Sequence, residues 1–125
     1  MNELKNTGIS FVDEELAKLG EGVVKAPMTI ADTYTVLAKD NVVLANLAAA
    51  KVATLPAVAD VPTGKTFTFV QLVGTHFLTV KGAAAGETIN GVSGTTGFVF
   101  DAQWETITVM NTGAVWVITS GYLVG

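Results

Sequence analysis

The sequence predicts an all-β fold, an antiparallel sandwich of jelly-roll type preceded by a short N-terminal helical arm. Three observations point there. From Met28 onward Val and Thr dominate, residues that are stiff at χ1 and favoured on pleated surfaces. Strand-like runs recur at short intervals between Pro- and Gly-bearing turns, the spacing of sandwiches rather than of βαβ units. The clear helical pattern lies ahead of them. The expected division is an arm over 1–27 and a β-sandwich domain over 28–125.

In the arm, Ser10 is a good N-cap, and Asp13, Glu14 and Glu15 follow it in the first turn. There they face the positive end of a helix dipole. Ile9, Val12, Leu16 and Leu19 recur at helical spacing, and Gly20 is a natural stop. The spacing predicts a helix over Ser10–Leu19, too short to hold alone in water. Ile9, Phe11, Val12, Leu16 and Leu19 are therefore expected to bind a partner.

The strands follow in order. "TYTVLAKD" alternates, "VLANLAAAK" is read as strand then loop despite its helix propensity, and "KVATLP" closes at Pro56. "VPTGK" is a turn. "KTFTFVQLV" and "THFLTVKG" form the next pair, broken near Gly74, and "TGFVFDA" and "ETITVMNTGAVWVITSG" supply the last three strands. Asn111-Thr112-Gly113 is the expected hairpin connection between the final two. In "GAVWVITSG", Val115 and Val117 alternate with Trp116 and Ile118, so both faces are apolar and each needs a cover.

Hydrophobic residues make up 50% of the chain and charged residues 14%, with a mean hydropathy of +0.49. So little charge suits an obligate homo-oligomer whose subunit contacts cover part of the surface. Net charge is −4 and every basic residue is a lysine. A nucleic-acid partner, which needs a basic patch rich in arginine, is therefore not expected. The chain has no cysteine, which removes disulfides and thiolate metal sites. No run approaches the ~20 apolar residues of a membrane span, so no membrane partner is expected.

Catalytic chemistry finds little material. His76 is the single histidine and shares strand parity with Leu78 and Val80. It is assigned, with Trp116, to a subunit interface or symmetry axis, since one histidine per chain cannot build a metal site by itself. No Gly-x-Ser-x-Gly elbow exists, and no helix pattern follows Ser93 in "GVSG". Paired carboxylates would have to come from Glu87, Asp101 and Glu105, which are separated in sequence and carry no burial signal. "PTGKT" lacks the first glycine of a phosphate loop, and "AGETINGVSG" offers too few ligands for calcium. The latter reads as a turn at Asn90-Gly91. No enzyme activity, cofactor or resident metal is expected. Trp104 and Tyr122 are the candidate exposed aromatics, suited to stacking on sugar.

The order of the segments resembles small β domains of bacteriophage virion proteins, found in tail-fibre ends and in capsid-decorating, or cement, proteins. The residues that carry the likeness are Tyr34-Thr35-Val36, Asp40, Leu55-Pro56, Gly64-Lys65, Gly86-Glu87-Thr88-Ile89-Asn90-Gly91, Thr106-Ile107-Thr108 and Trp116. They span roughly Thr33 to Ser120 and are turn and core residues. The resemblance implies a trimeric β assembly with a structural role in the virion, formed in the bacterial host cytoplasm. An arm with one helix, without heptads or repeats, suits capsid decoration, with the homotrimer and the phage major coat protein as partners. The alternative is a tail-fibre or spike tip that binds host-surface glycan.

Overall fold

The computed structural model describes residues 26–124. The arm residues Ile9, Phe11, Val12, Leu16 and Leu19 lie outside the described residues. The described chain forms β1 (Met28–Ile30), β2 (Tyr34–Thr35), β3 (Val42–Ala45), β4 (Lys51–Thr54), β5 (Thr66–Gln71), β6 (Leu78–Lys81), β7 (Phe98–Val99), β8 (Thr106–Asn111) and β9 (Trp116–Tyr122). A single 3₁₀ turn at Val58–Asp60 interrupts the β4–β5 connection.

The all-β class holds, but the pairing corrects the antiparallel expectation. Two mixed sheets form, one ordered β1-β3-β5-β8-β9 and the other β2-β4-β6-β7. As far as β6 the chain changes sheet at every step. β1, β3 and β5 are therefore mutually parallel neighbours, as are β2, β4 and β6. Among these nine strands, antiparallel pairing enters only at β5–β8, β6–β7 and β8–β9. The physical reason is that side-chain alternation has the same period of two in both kinds of ladder. Strand direction is set by the connections, and parallel neighbours need a crossover. Here a strand in the opposite sheet supplies it.

The inward faces of both sheets contribute to one core. β5 and β8 alternate strictly, burying Phe67 and Phe69 and then Ile107 and Val109. Val43 and Ala45 join from β3, Ala53 from β4, Leu78 and Val80 from β6, and Trp116 from β9. Each large side chain removed from water contributes roughly 1.5–3 kcal/mol. Phe67 and Trp116 pack tilted with centroids 5.7 Å apart. The segment 46–50 is loop, anchored by buried Leu47.

Two buried amides organise the loops. Gln71 donates through Nε2 to the carbonyls of Val73 and His76 and accepts from the Leu78 N–H, which shapes the β5–β6 connection. Asn111 donates through Nδ2 to the carbonyls of Val58 and Val61 and accepts from the Gly113 N–H.

Asn90 and Gly91 have φ of 50° and 82°, the two successive positive values of a type I′ turn. Ile89 and Val92 exchange both backbone hydrogen bonds across it at 2.9 Å. Gly94, close to the turn, serves close backbone approach: a Cβ there would overlap the carbonyl oxygens of Ala84 and Glu87.

Candidate functional site

Two neighbouring features stand out, the outer face of the five-stranded sheet and the corner where that sheet ends. The ladder registers place Thr29, Leu44, Val70, Thr106 and Tyr122 in one transverse row of the outer face. Val42, Thr68, Thr108 and Ser120 form the next row, and Thr66, Met110 and Val117 the third. None of these residues is charged. The Thr68 and Thr108 hydroxyls bond each other at 2.9 Å, so part of the face's polarity is satisfied within it.

The corner is built from the end of β9, the strand β7 and the 100–105 turn between β7 and β8. Val99, Trp104, Tyr122, Leu123 and Val124 are all about half exposed or more, from 49% to 61%. They hold most of the exposed large apolar side chains among the described residues. At Val99 and Leu123 lies a cleft of about 160 Å³, lined also by Phe98, Asp101 and Glu105.

Glu105 fixes this corner from beneath. The residue is 2% exposed, and its carboxylate accepts the Asp101 N–H at Oε1 and the Val124 N–H at Oε2, both at 2.9 Å. Burial pushes its carboxyl upward, but the N–H groups of Asp101, Val124 and Ala102 outweigh this and hold it below the usual range. Exposed Asp101 is raised instead, first by its side-chain hydrogen bond to Glu105 and then by the like charge. Among the described residues no three His, Asp or Glu gather as a metal site would require.

Trp104 sits at φ 72°, a left-handed conformation that is an outlier for a bulky residue. Its N–H donates to the Gln71 carbonyl at 2.7 Å, and the Gln71 N–H returns a bond to the Glu105 carbonyl at 2.8 Å. The backbone around it is therefore anchored while the indole projects into water.

The structure brings Trp104 and Tyr122 to the same corner, since Tyr122 is in register with Thr106, two residues after Trp104. It separates the other pair. Trp116 is fully buried, which corrects its assignment to a subunit interface: its indole packs inside the chain's own core. The indole N–H has no partner among the described residues. His76 is half-buried in the 72–77 connection rather than on β6, whose inward positions start at Leu78.

Glu105, Gln71 and Asn111 were not singled out as buried by sequence reasoning, although alternation reaches all three. Each extends the inward parity of its strand by one step, Glu105 before Ile107, Gln71 after Phe69 and Asn111 after Val109. Asp101 and Glu105, separated in sequence, meet because Glu105 folds inward beneath the turn. Compared with known proteins, the chain matches no family model and no curated protein.

Proposed function

We propose that the chain is a virion structural protein, a capsid decoration protein that assembles as a homotrimer and ties coat subunits together. The observation that carries this reading is the charge-free outer face of the five-stranded sheet. Interface cores are depleted in charge, because each buried ion must be desolvated. A face of threonine hydroxyls and half-buried aliphatics loses little on being covered. A trimer presenting several such contacts at once would hold a lattice by avidity rather than by one strong bond.

The test is direct. Light scattering should give three times the 13.0 kDa chain mass, and the protein should co-sediment with undecorated capsids. Thr108→Lys, which sets a charge at the centre of the face, should abolish one or both. A monomer that ignores capsids would overturn the reading.

A second reading is favoured by the exposed, backbone-anchored Trp104 with Tyr122 nearby. It is a fibre or spike tip that stacks host glycan on these rings. Glycan-array binding that vanishes in Trp104→Ala, without capsid affinity, would select it.

A further inference from the structure

We propose that the apolar corner formed by Val99, Trp104, Tyr122, Leu123 and Val124 receives the 9–19 segment of a neighbouring copy of this chain. The inference rests on the self-assembling reading above and names the contact that would make it head-to-tail.

The corner is a constructed surface rather than a frayed end. A buried carboxylate holds the Val124 N–H, and Trp104 is kept at positive φ by a backbone bond to Gln71. Left-handed backbone is disfavoured for any residue that carries a Cβ. Such outliers persist where the surroundings over-determine them, often at contact sites. The result is a cluster of aliphatic and aromatic side chains held out in water beside a cleft walled by Phe98, Val99 and Leu123, with the Asp101 and Glu105 carboxyls on its remaining side. Clustered exposure of this kind marks an interaction surface.

The chain carries an occupant of matching chemistry. Ile9, Val12, Leu16 and Leu19 recur at helical spacing in the sequence, and a helix of that length would need a surface to dock on. The described chain begins at Ala26, beside β1. Thr29 of β1 and Tyr122 of β9 occupy the two ends of the same transverse row, with β3, β5 and β8 between them. Four strand spacings make that width ~19 Å. The seven steps from Ala26 back to Leu19 span ~23–25 Å when fully extended, so reaching the corner of its own body demands a nearly extended crossing of the whole face. Reaching a neighbour placed against the β1 edge demands none. A donor at one edge and an acceptor at the other form a heterologous contact, which closes into a ring when the rotation allows.

Because the chain has no cysteine, introduced pairs report the contact cleanly. Full-length Lys18→Cys and Val99→Cys chains are mixed and mildly oxidised, with Ala114→Cys, on the β8–β9 turn, replacing Val99→Cys as the control. The expected result is a cross-linked species of twice the chain mass, formed about tenfold faster with Val99→Cys than with Ala114→Cys, as preorganisation raises effective concentration. Leu123→Asp in the Val99→Cys chain should remove that excess while circular dichroism stays unchanged. Equal rates for the two positions overturn the proposal. So does a cross-link that forms only within single chains carrying both cysteines. If such chains keep trimer mass, the corner contact fails alone. If they are monomers, the assembly reading fails with it.

Discussion

Asn90 covers the open edge of Trp116. The Asn90 N–H donates to the Trp116 carbonyl at 3.0 Å, Thr88 accepts the Trp116 N–H at 2.9 Å, and Asn90 Oδ1 takes the Ile118 N–H at 2.8 Å. β9 is the last strand of its sheet, and unprotected edges invite pairing with other chains. The 88–92 turn therefore works as a cap as well as a reversal. Asn90→Ala keeps the turn's length but loses the side-chain acceptor and places alanine at positive φ. Its expected cost is ~1–3 kcal/mol in urea unfolding, with faster aggregation on standing. An unchanged midpoint would mean that the edge needs no cap.

Tyr34 and Asp40 form the second clasp. The phenol donates to Asp40 Oδ2 at 2.5 Å, and the same oxygen accepts the Leu37 N–H. Burial, and then the bond to Asp40, push the tyrosine up from 10.0 to about 12. A group raised in the fold contributes stability that is complete below its unfolded value and lost as pH climbs to the folded one. Stability should therefore fall between pH 10 and about 12. Tyr34→Phe should cost ~1–3 kcal/mol at neutral pH and remove that alkaline loss, as read by melts across the range.

Much of the architecture was legible in the residues, and what was not has a definite cause. The alternation of "KTFTFVQLV" and "ETITVMN" marks β5 and β8, and Asn90-Gly91 marks the turn, because each depends on neighbours in sequence. Parallel pairing of β1 with β3 or β2 with β4 depends on which layer a connection crosses to, and no local pattern encodes that. The aromatic half of the corner, Trp104 and Tyr122, could be suspected from position alone. Its other half could not: Glu105 looks like a surface acid until the inward parity of Ile107 and Val109 is carried back to it. Leu123 and Val124 look like a loose end until the Glu105 carboxylate is found holding the Val124 N–H.

The Asp101–Glu105 pair sets a pH signature. Asp101, raised by Glu105, favours its protonated form in the fold, so its contribution is full below its unfolded value and is lost as pH rises through the folded one. Glu105, lowered, contributes in the opposite sense and loses its share as pH falls through its folded value. Asp101→Asn supplies an amide donor to Glu105 without the second charge. It should melt higher than the parent chain at pH 7, and the difference should shrink as pH falls and the parent's Asp101, raised above its ordinary 3.8, protonates. A gain that persists unchanged at pH 3 would dissociate the effect from that proton.

Trp104 separates folding from contact. Its backbone at φ 72° disfavours any residue with a bulky Cβ substituent, while asparagine tolerates this region. Its side chain is 57% exposed, so little core packing depends on it. Trp104→Asn should therefore leave stability equal or raise it by up to ~1 kcal/mol. The same change removes the largest apolar side chain of the corner and should weaken self-association, read as a lower mean mass in a light-scattering dilution series. A residue kept only for packing would give the reverse, lower stability with association intact. Both readouts on one variant decide whether the strained backbone serves the fold or serves what docks on it.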